Sequence, residues 1–282
     1  MSFQPVIPTG GLAGFAFLQR TRAAQQTAFA GAPALTRDSD HFRARIGEID
    51  SADALMADRR LLRVALGAFG LGADIDNRAF IRRILSEPSN DPASLSNRLA
   101  DDRYRKIASA FGFGDPGPPG PARPGFAERT IAAYLDTRFE TAVGESDPAM
   151  RLALNADRTL PELAAAPGDD DTAWLRILGD KPLRRVLERA LGLPRAFANL
   201  DLDRQIDVMR DKAAQRYGAE SVAALAADGV RETLIRDFVI RSSAASTTLT
   251  SPGGVALALL TGGVPGPAGP PPPGAALSAL LS

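Results

Sequence analysis

A stretch that occurs three times constrains the fold more than any other feature of this sequence. It reads LMADRRLLRVALGAFGL over residues 55–71, LGDKPLRRVLERALGL over 178–193 and LADDRYRKIASAFGF over 99–113. The apolar residues of the second copy recur at the spacing of one α-helical face: Leu183, Val186, Leu187, Ala190 and Leu191. The repeated stretch therefore predicts three amphipathic helices.

The ends of the repeated stretch carry helix start and stop signals. In the second copy Asp180 is placed to cap the helix, and Pro182 falls in the first turn, where its missing N–H costs nothing. Gly192 suits the left-handed position that follows a helix. The other two copies have the same signals: Asp58 with Gly70, and Asp101 or Asp102 with Gly112.

Composition narrows the class of protein. The 282 residues include 33 basic and 33 acidic side chains, so no bulk charge favours a nucleic-acid partner. The absence of cysteine excludes disulfides and thiolate chemistry, and there is one histidine. No signal-peptide pattern is visible at the N-terminus, and the longest aliphatic run, Val255–Leu260, is too short to span a bilayer. We therefore expect a cytoplasmic protein without membrane insertion.

The order of helical and low-complexity segments predicts an all-α protein with two helical halves. The halves cover residues 36–113 and 126–241, joined by a Pro/Gly linker or surface loop at 114–125. Residues 1–35 are rich in Ala, Gly, Gln and Thr, which predicts a segment that is flexible or waits for a partner. Residues 242–282 change to Ser, Thr, Gly, Pro and Ala and predict a disordered tail. No alternating pattern predicts a strand.

The acidic residues that could serve chemistry have structural interpretations. The pairs Asp101/Asp102 and Asp201/Asp203 each precede a helix, where capping explains them. Asp169–Asp171 lack the spacing of a calcium loop, so we expect a solvated loop with an N-cap for the helix of Trp174. Glu140 and Glu145 lie near the end of one regular helix and suggest no chemistry.

The remaining candidate residues also have structural interpretations. His41 has no nucleophile motif beside it, so we expect a surface or cap-proximal imidazole. Gly10-Gly11 and Gly253-Gly254 lack the Lys-Ser/Thr of a phosphate loop, and Trp174 shares an apolar stripe that predicts core. We therefore predict no catalytic, cofactor-binding or metal-ligating residue and no cofactor. An enzyme using scattered carboxylates would need a cleft where two carboxylates converge with raised pKa.

Several separated blocks of the sequence together carry a family resemblance. The central block runs from Tyr134 to Leu154 and includes Phe139-Glu140, Val143-Gly144-Glu145 and Asp147-Pro148. Two earlier blocks also match: Asp58 to Leu62 leading to Ala68–Leu71, and Asn97 to Leu99 with Asp102 to Tyr104 leading to Phe111–Phe113. Together these blocks resemble the DUF1217 family over about residues 36–241, and the linker and the tail depart from it.

The resemblance implies a helical protein of alphaproteobacterial type that is frequently encoded among flagellar genes, without an established activity or functional residues. We therefore expect a non-catalytic protein that acts by protein–protein contact in flagellar assembly or structure, in the cytoplasm, at the flagellum or exported by its apparatus. The alternative is a cytoplasmic helical adaptor or regulator with no flagellar role. The sequence leaves the partner and the oligomeric state open.

Overall fold

The computed structural model describes residues 3–99 and 101–250, with side chains as far as residue 244. These residues contain fourteen α-helices and no strand, which confirms the all-α prediction. Contacts divide the chain into two compact units, Met1–Ser242 and Ser243–Ser282. Both predicted halves thus belong to the first unit.

The helices follow one another with short connections. They are α1 Gly11–Ala30, α2 Pro33–Arg45, α3 Ala52–Ala57, α4 Arg59–Ala68, α5 Arg78–Ser86, α6 Leu95–Arg98, α7 Asp102–Phe111, α8 Phe126–Ser146, α9 Pro148–Ala164, α10 Asp170–Gly179, α11 Lys181–Leu191, α12 Leu202–Tyr217, α13 Val222–Ala226 and α14 Asp228–Thr250. Short 3-10 turns occur at Ile46–Glu48, Gly72–Asp74, Gly120–Ala122 and Arg195–Asn199.

The three repeated stretches form α4, α11 and α7 with the predicted end signals. Asp58, Asp180 and Asp101 each accept a hydrogen bond from a backbone N–H of the first helical turn. Gly70, Gly192 and Gly112 all have positive φ, at 70°, 72° and 57°. In two copies the residue after this glycine bonds back across the last turn: Leu71 N–H to the Leu66 carbonyl at 2.8 Å, and Leu193 N–H to that of Glu188 at 2.9 Å.

The core is organised around the contact between α4 and α8, from which packing extends to α2 on one side and to α9 and α11 on the other. Gly67 of α4 faces the ring of Tyr134 on α8 so closely that an added Cβ would lie 2.6 Å from the ring. The Tyr134 hydroxyl donates to Asp38 of α2 at 3.3 Å. Tyr134 and Asp38 are 2% and 8% exposed, so this joint of three helices is buried.

The N-terminal segment differs from the prediction of a flexible 1–35. Residues 11–30 form α1, whose Phe15 and Leu18 are buried in the common core. The preceding chain folds back along α1, where the Gln25 side chain accepts from Val6 N–H at 2.7 Å and donates to the Val6 carbonyl at 3.1 Å. The alanine-rich composition of α1 favours a helix when α8 supplies an apolar surface to pack on. The local sequence of α1 does not reveal that surface.

The predicted linker and tail also carry structure. In the linker 114–125, Gly120 and Pro121 are buried in a 3-10 turn, whereas Pro116 to Pro118 are exposed, so the segment is an anchored loop. Residues 242–250, predicted as the start of the tail, continue α14, since serine and alanine are tolerated in helices without an apolar stripe. The rest of the tail, with Gly253-Gly254 and Val255–Leu260, lies outside the described residues.

We expect Gly67→Ala to destabilise the protein by about 1–3 kcal/mol, because the new methyl group would overlap the Tyr134 ring. The matched control is Gly229→Ala in α14, where an added Cβ meets nothing within 4 Å and alanine is the better helix former. Urea unfolding followed by circular dichroism measures both. Equal stability of the two variants would show that α4 and α8 do not depend on this close approach.

Candidate functional site

In each group of carboxylates that precedes a helix, the first carboxylate is the cap. Asp101 accepts from Arg103 N–H at 3.1 Å, Asp169 from Thr172 N–H at 2.8 Å and Asp201 from Arg204 N–H at 2.9 Å. The Arg103 guanidinium also binds Asp101, and this hydrogen bond holds the pKa of that carboxyl below its ordinary value. These groups complete helix ends.

His41 lies beside the residue that caps α4. A cap-proximal position is one of the two predicted for it. Its Nε2 lies 2.6 Å from Oδ2 of Asp58, whose Oδ1 accepts from the Arg60 and Leu61 N–H groups. Burial alone would raise the pKa of Asp58, but the hydrogen bonds with His41 and the two N–H groups outweigh it and lower that pKa. The imidazole therefore ties α2 to the start of α4.

Asp170 does more than the solvated loop predicted for Asp169–Asp171. Its Oδ2 accepts from Nε1 of the fully buried Trp174 at 2.9 Å, and its Oδ1 accepts from Val222 N–H at 2.8 Å. Arg210 of α12 forms ion pairs with Asp170 and Asp171. One carboxylate thus connects α10, α12 and α13. Periodicity could not predict this, since Val222 is 52 residues away.

Glu140, for which the sequence suggests no chemistry, is a buried ion-pair partner. It is 4% exposed on α8 and accepts from Arg158 of α9 through Oε1 at 2.8 Å and Oε2 at 3.3 Å. Burial alone would lower the pKa of the Arg158 guanidinium, but Glu140 raises it. Arg158 also lies 3.5 Å from the exposed Glu162. Glu145, in contrast, is exposed in the last turn of α8.

A second polar cluster fastens α1 and α14 to the same side of α8 and α9. Asp157 of α9 pairs with Arg22 of α1 at 2.8 Å and with Arg231 of α14 at 3.0 Å. Gln26 of α1 donates to Asp136 of α8 at 3.0 Å. Burial raises the pKa of Asp136 despite nearby arginines. The cluster holds four helices in register.

The raised pKa of Asp136 could suggest acid–base chemistry, but its neighbours point elsewhere. Glu140, the carboxylate that could partner it, is bound by Arg158 on both oxygens. Two clefts of the described surface, of about 240 and 210 Å³, are lined by other residues. Within the described residues no three His, Asp or Glu side chains are grouped to hold a metal ion. The arrangement is that of an interhelical brace.

Two large apolar side chains are exposed where α11 leads into α12. Leu200 and Leu202 are 40% and 49% exposed. The loop is nevertheless fixed: the Leu200 carbonyl accepts from Nε2 of the buried Gln205 at 2.7 Å, and Phe197 is buried just before it. An ordered loop that presents two leucines loses little conformational entropy when it binds a partner. Helical periodicity does not predict that these two leucines are exposed.

Comparisons with known proteins agree with this architecture. The family model described as "Protein of unknown function (DUF1217)" matches residues 68–225. A structural-genomics protein of Agrobacterium tumefaciens, solved by X-ray crystallography, is 23% identical with a TM-score of 0.66, covering 85% of this chain and 98% of that chain. At this identity the likeness shows the fold alone. Comparison with curated proteins gives no match. No helix in the described ranges is long and apolar enough to cross a membrane.

We expect Glu140→Gln to lower the free energy of unfolding by about 3 kcal/mol, because it leaves the half-buried Arg158 charge without its carboxylate. Glu162→Gln is the matched control: it touches the same arginine from an exposed position and should change stability by less than about 0.5 kcal/mol. Chemical denaturation of both variants gives the comparison. Similar losses would mean that the Glu140 pair contributes no more than a surface ion pair.

Proposed function

Because the chain belongs to the DUF1217 family, we propose that it is a non-catalytic, flagellum-associated protein that acts through protein–protein contacts in flagellar assembly or structure. The resemblance to a family frequently encoded among flagellar genes supports the flagellar role. The main support for action by protein–protein contact is the ordered loop with the exposed Leu200 and Leu202.

The use of the charged side chains also favours a scaffold over an enzyme. Asp58, Asp101, Asp169 and Asp201 complete helix ends, and Glu140 is held by an arginine. These carboxylates stabilise the fold through fixed hydrogen bonds and an ion pair, whereas a catalytic carboxylate must exchange protons or bind substrate. A rigid helical body that presents a few apolar side chains suits an assembly component.

We place the protein in the cytoplasm or in association with the flagellum. Export by the flagellar apparatus is supported less by the structure than by the composition of residues 1–35, since the N-terminal segment packs on the core through α1. The alternative function is a helical adaptor or regulator in the cytoplasm without a flagellar role. The same contact surface would serve it, so only a test in the cell separates the two.

The test is a clean chromosomal deletion in the source bacterium, scored for swimming and for hooks and filaments by electron microscopy. We expect loss of motility with truncated or missing flagella, restored by the intact gene. Normal flagella and swimming in the deletion strain would contradict the flagellar role and favour the adaptor.

The complementation also tests the contact surface. A gene carrying Leu200→Ser and Leu202→Ser should fail to restore swimming although the protein accumulates, because the apolar contact is lost. Leu175→Ser, a change at an equally exposed leucine of α10, is the matched control and should restore it. Restoration by both variants would leave the flagellar role standing but would remove this loop as the contact.

A further inference from the structure

Two arginines of α4 share one buried carboxylate where α2, α4 and α8 meet. Nε of Arg60 lies 3.5 Å from Oδ1 of Asp38, and Nη1 of Arg63 lies 3.4 Å from Oδ2. The same carboxylate accepts from the Tyr134 hydroxyl at 3.3 Å. The Asp38 side chain is 11% exposed, whereas those of Arg60 and Arg63 are 48% and 49% exposed. Each arginine therefore contacts a buried anion while much of its side chain stays open to solvent.

The two ion pairs with Asp38 are long. Hydrogen bonds between guanidinium and carboxylate groups are ordinarily about 2.7–2.9 Å long, and Arg158 binds Glu140 at 2.8 Å. A guanidinium group carries five N–H donors. Among the described residues, the side chains of Arg60 and Arg63 have no hydrogen-bond or ion-pair partner other than Asp38. A further anion could thus bind both groups without displacing a strong interaction.

Arg138 of α8 adds a third guanidinium group to this surface. Its side chain is exposed and forms no ion pair within the part of the chain that the structure describes. Burial and the charge of Asp38 raise the pKa of Tyr134 to about 12, and the positive charges of Arg138 and Arg63 oppose this rise. Both guanidinium groups therefore lie close enough to the Tyr134 hydroxyl for their charges to act on it.

The stability of α4 does not explain why cations stand at this place. Arg60 lies in the first turn of the helix, which contains no acidic residue, and the partial positive charge of a helix N-terminus repels cations. Asp58, which caps the helix, is engaged by His41 and by two backbone N–H groups. Even with Asp58 counted as a free charge, the three guanidinium groups outnumber the two carboxylates. A bound anion would offset this excess.

We propose that Arg60, Arg63 and Arg138 bind the phosphate of a phosphate monoester. The planar guanidinium fork matches phosphate oxygens. A phosphate monoester carries about −1.5 to −2 charges at neutral pH and has three acceptor oxygens, so it can bridge more than one arginine. A carboxylate offers one charge and two oxygens. The source is either a free phosphorylated small molecule or a phosphorylated side chain of a partner protein. The inference is independent of the flagellar role.

The test is a titration of the full-length, 15N-labelled protein with sodium methyl phosphate, followed by amide chemical shifts. Ionic strength is held constant, at about pH 7.5, where the monoester is mostly dianionic. We expect saturable shifts confined to α2, the first half of α4 and the middle of α8. Sodium acetate should bind at least about tenfold more weakly, because it lacks the second charge and the third oxygen. Linear shifts without saturation, or equal affinities for both anions, would overturn the proposal.

Arg63→Gln provides the matched variant, because its half-exposed side chain can lose its charge without a change in the apolar core. It should weaken binding of methyl phosphate about tenfold, the loss expected for one charge-assisted hydrogen bond. Arg59→Gln is the control: this arginine of the same helix is also exposed but pairs with the exposed Asp76, so the affinity should stay the same. Equal affinities of the two variants would contradict the assignment.

Two further measurements complete the test. Arg138→Gln should also weaken binding, and an unchanged affinity would remove α8 from the site and contradict the three-arginine assignment. A capped tripeptide with a central phosphoserine distinguishes the two sources of phosphate. Tighter binding of this peptide than of methyl phosphate would identify a partner's phosphorylated side chain, and the reverse order a free small phosphate.

Discussion

The close approach of α4 to α8, made through Gly67 against the Tyr134 ring, is the contact on which the rest of the structure depends. Because the glycine has no side chain, the ring can lie close to the backbone of α4 while its hydroxyl reaches Asp38 on α2. A residue of any other type would push the helices apart. From α8 the packing continues to α9 and α11, so this contact links the two parts of the chain that contain the repeated stretches.

The charged side chains of this protein hold its helices in place. Carboxylates cap helix starts, and the buried pair of Glu140 and Arg158 joins α8 to α9. Buried ion pairs of this kind add little net stability over apolar residues, but removing one partner strongly destabilises the fold. They therefore favour one arrangement of helices over its alternatives. This use of charge suits a rigid helical body.

The features that the sequence predicts are those encoded within a few residues. Asp180, Pro182 and Gly192 lie within one short stretch, so the ends of α11 can be derived from local rules. The roles of other residues depend on partners that only folding brings close. Gly67 faces Tyr134, Asp170 accepts from Val222, and Gln25 binds the backbone of Val6. The local sequence of residues 11–30 allows a helix but predicts a flexible segment, because the surface of α8 on which α1 packs is distant in the chain.

We expect the repeated helices to form one cooperative body built on the α4–α8 contact, and native-state hydrogen exchange measures whether they do. Amides in α4, α7, α9 and α11 should share the same highest opening free energy and the same dependence on denaturant, because none of these helices buries its apolar face alone. If the amides of α4 and α7 opened at a lower free energy than those of α9 and α11, the two halves would be separate folding units. That result would contradict the claim.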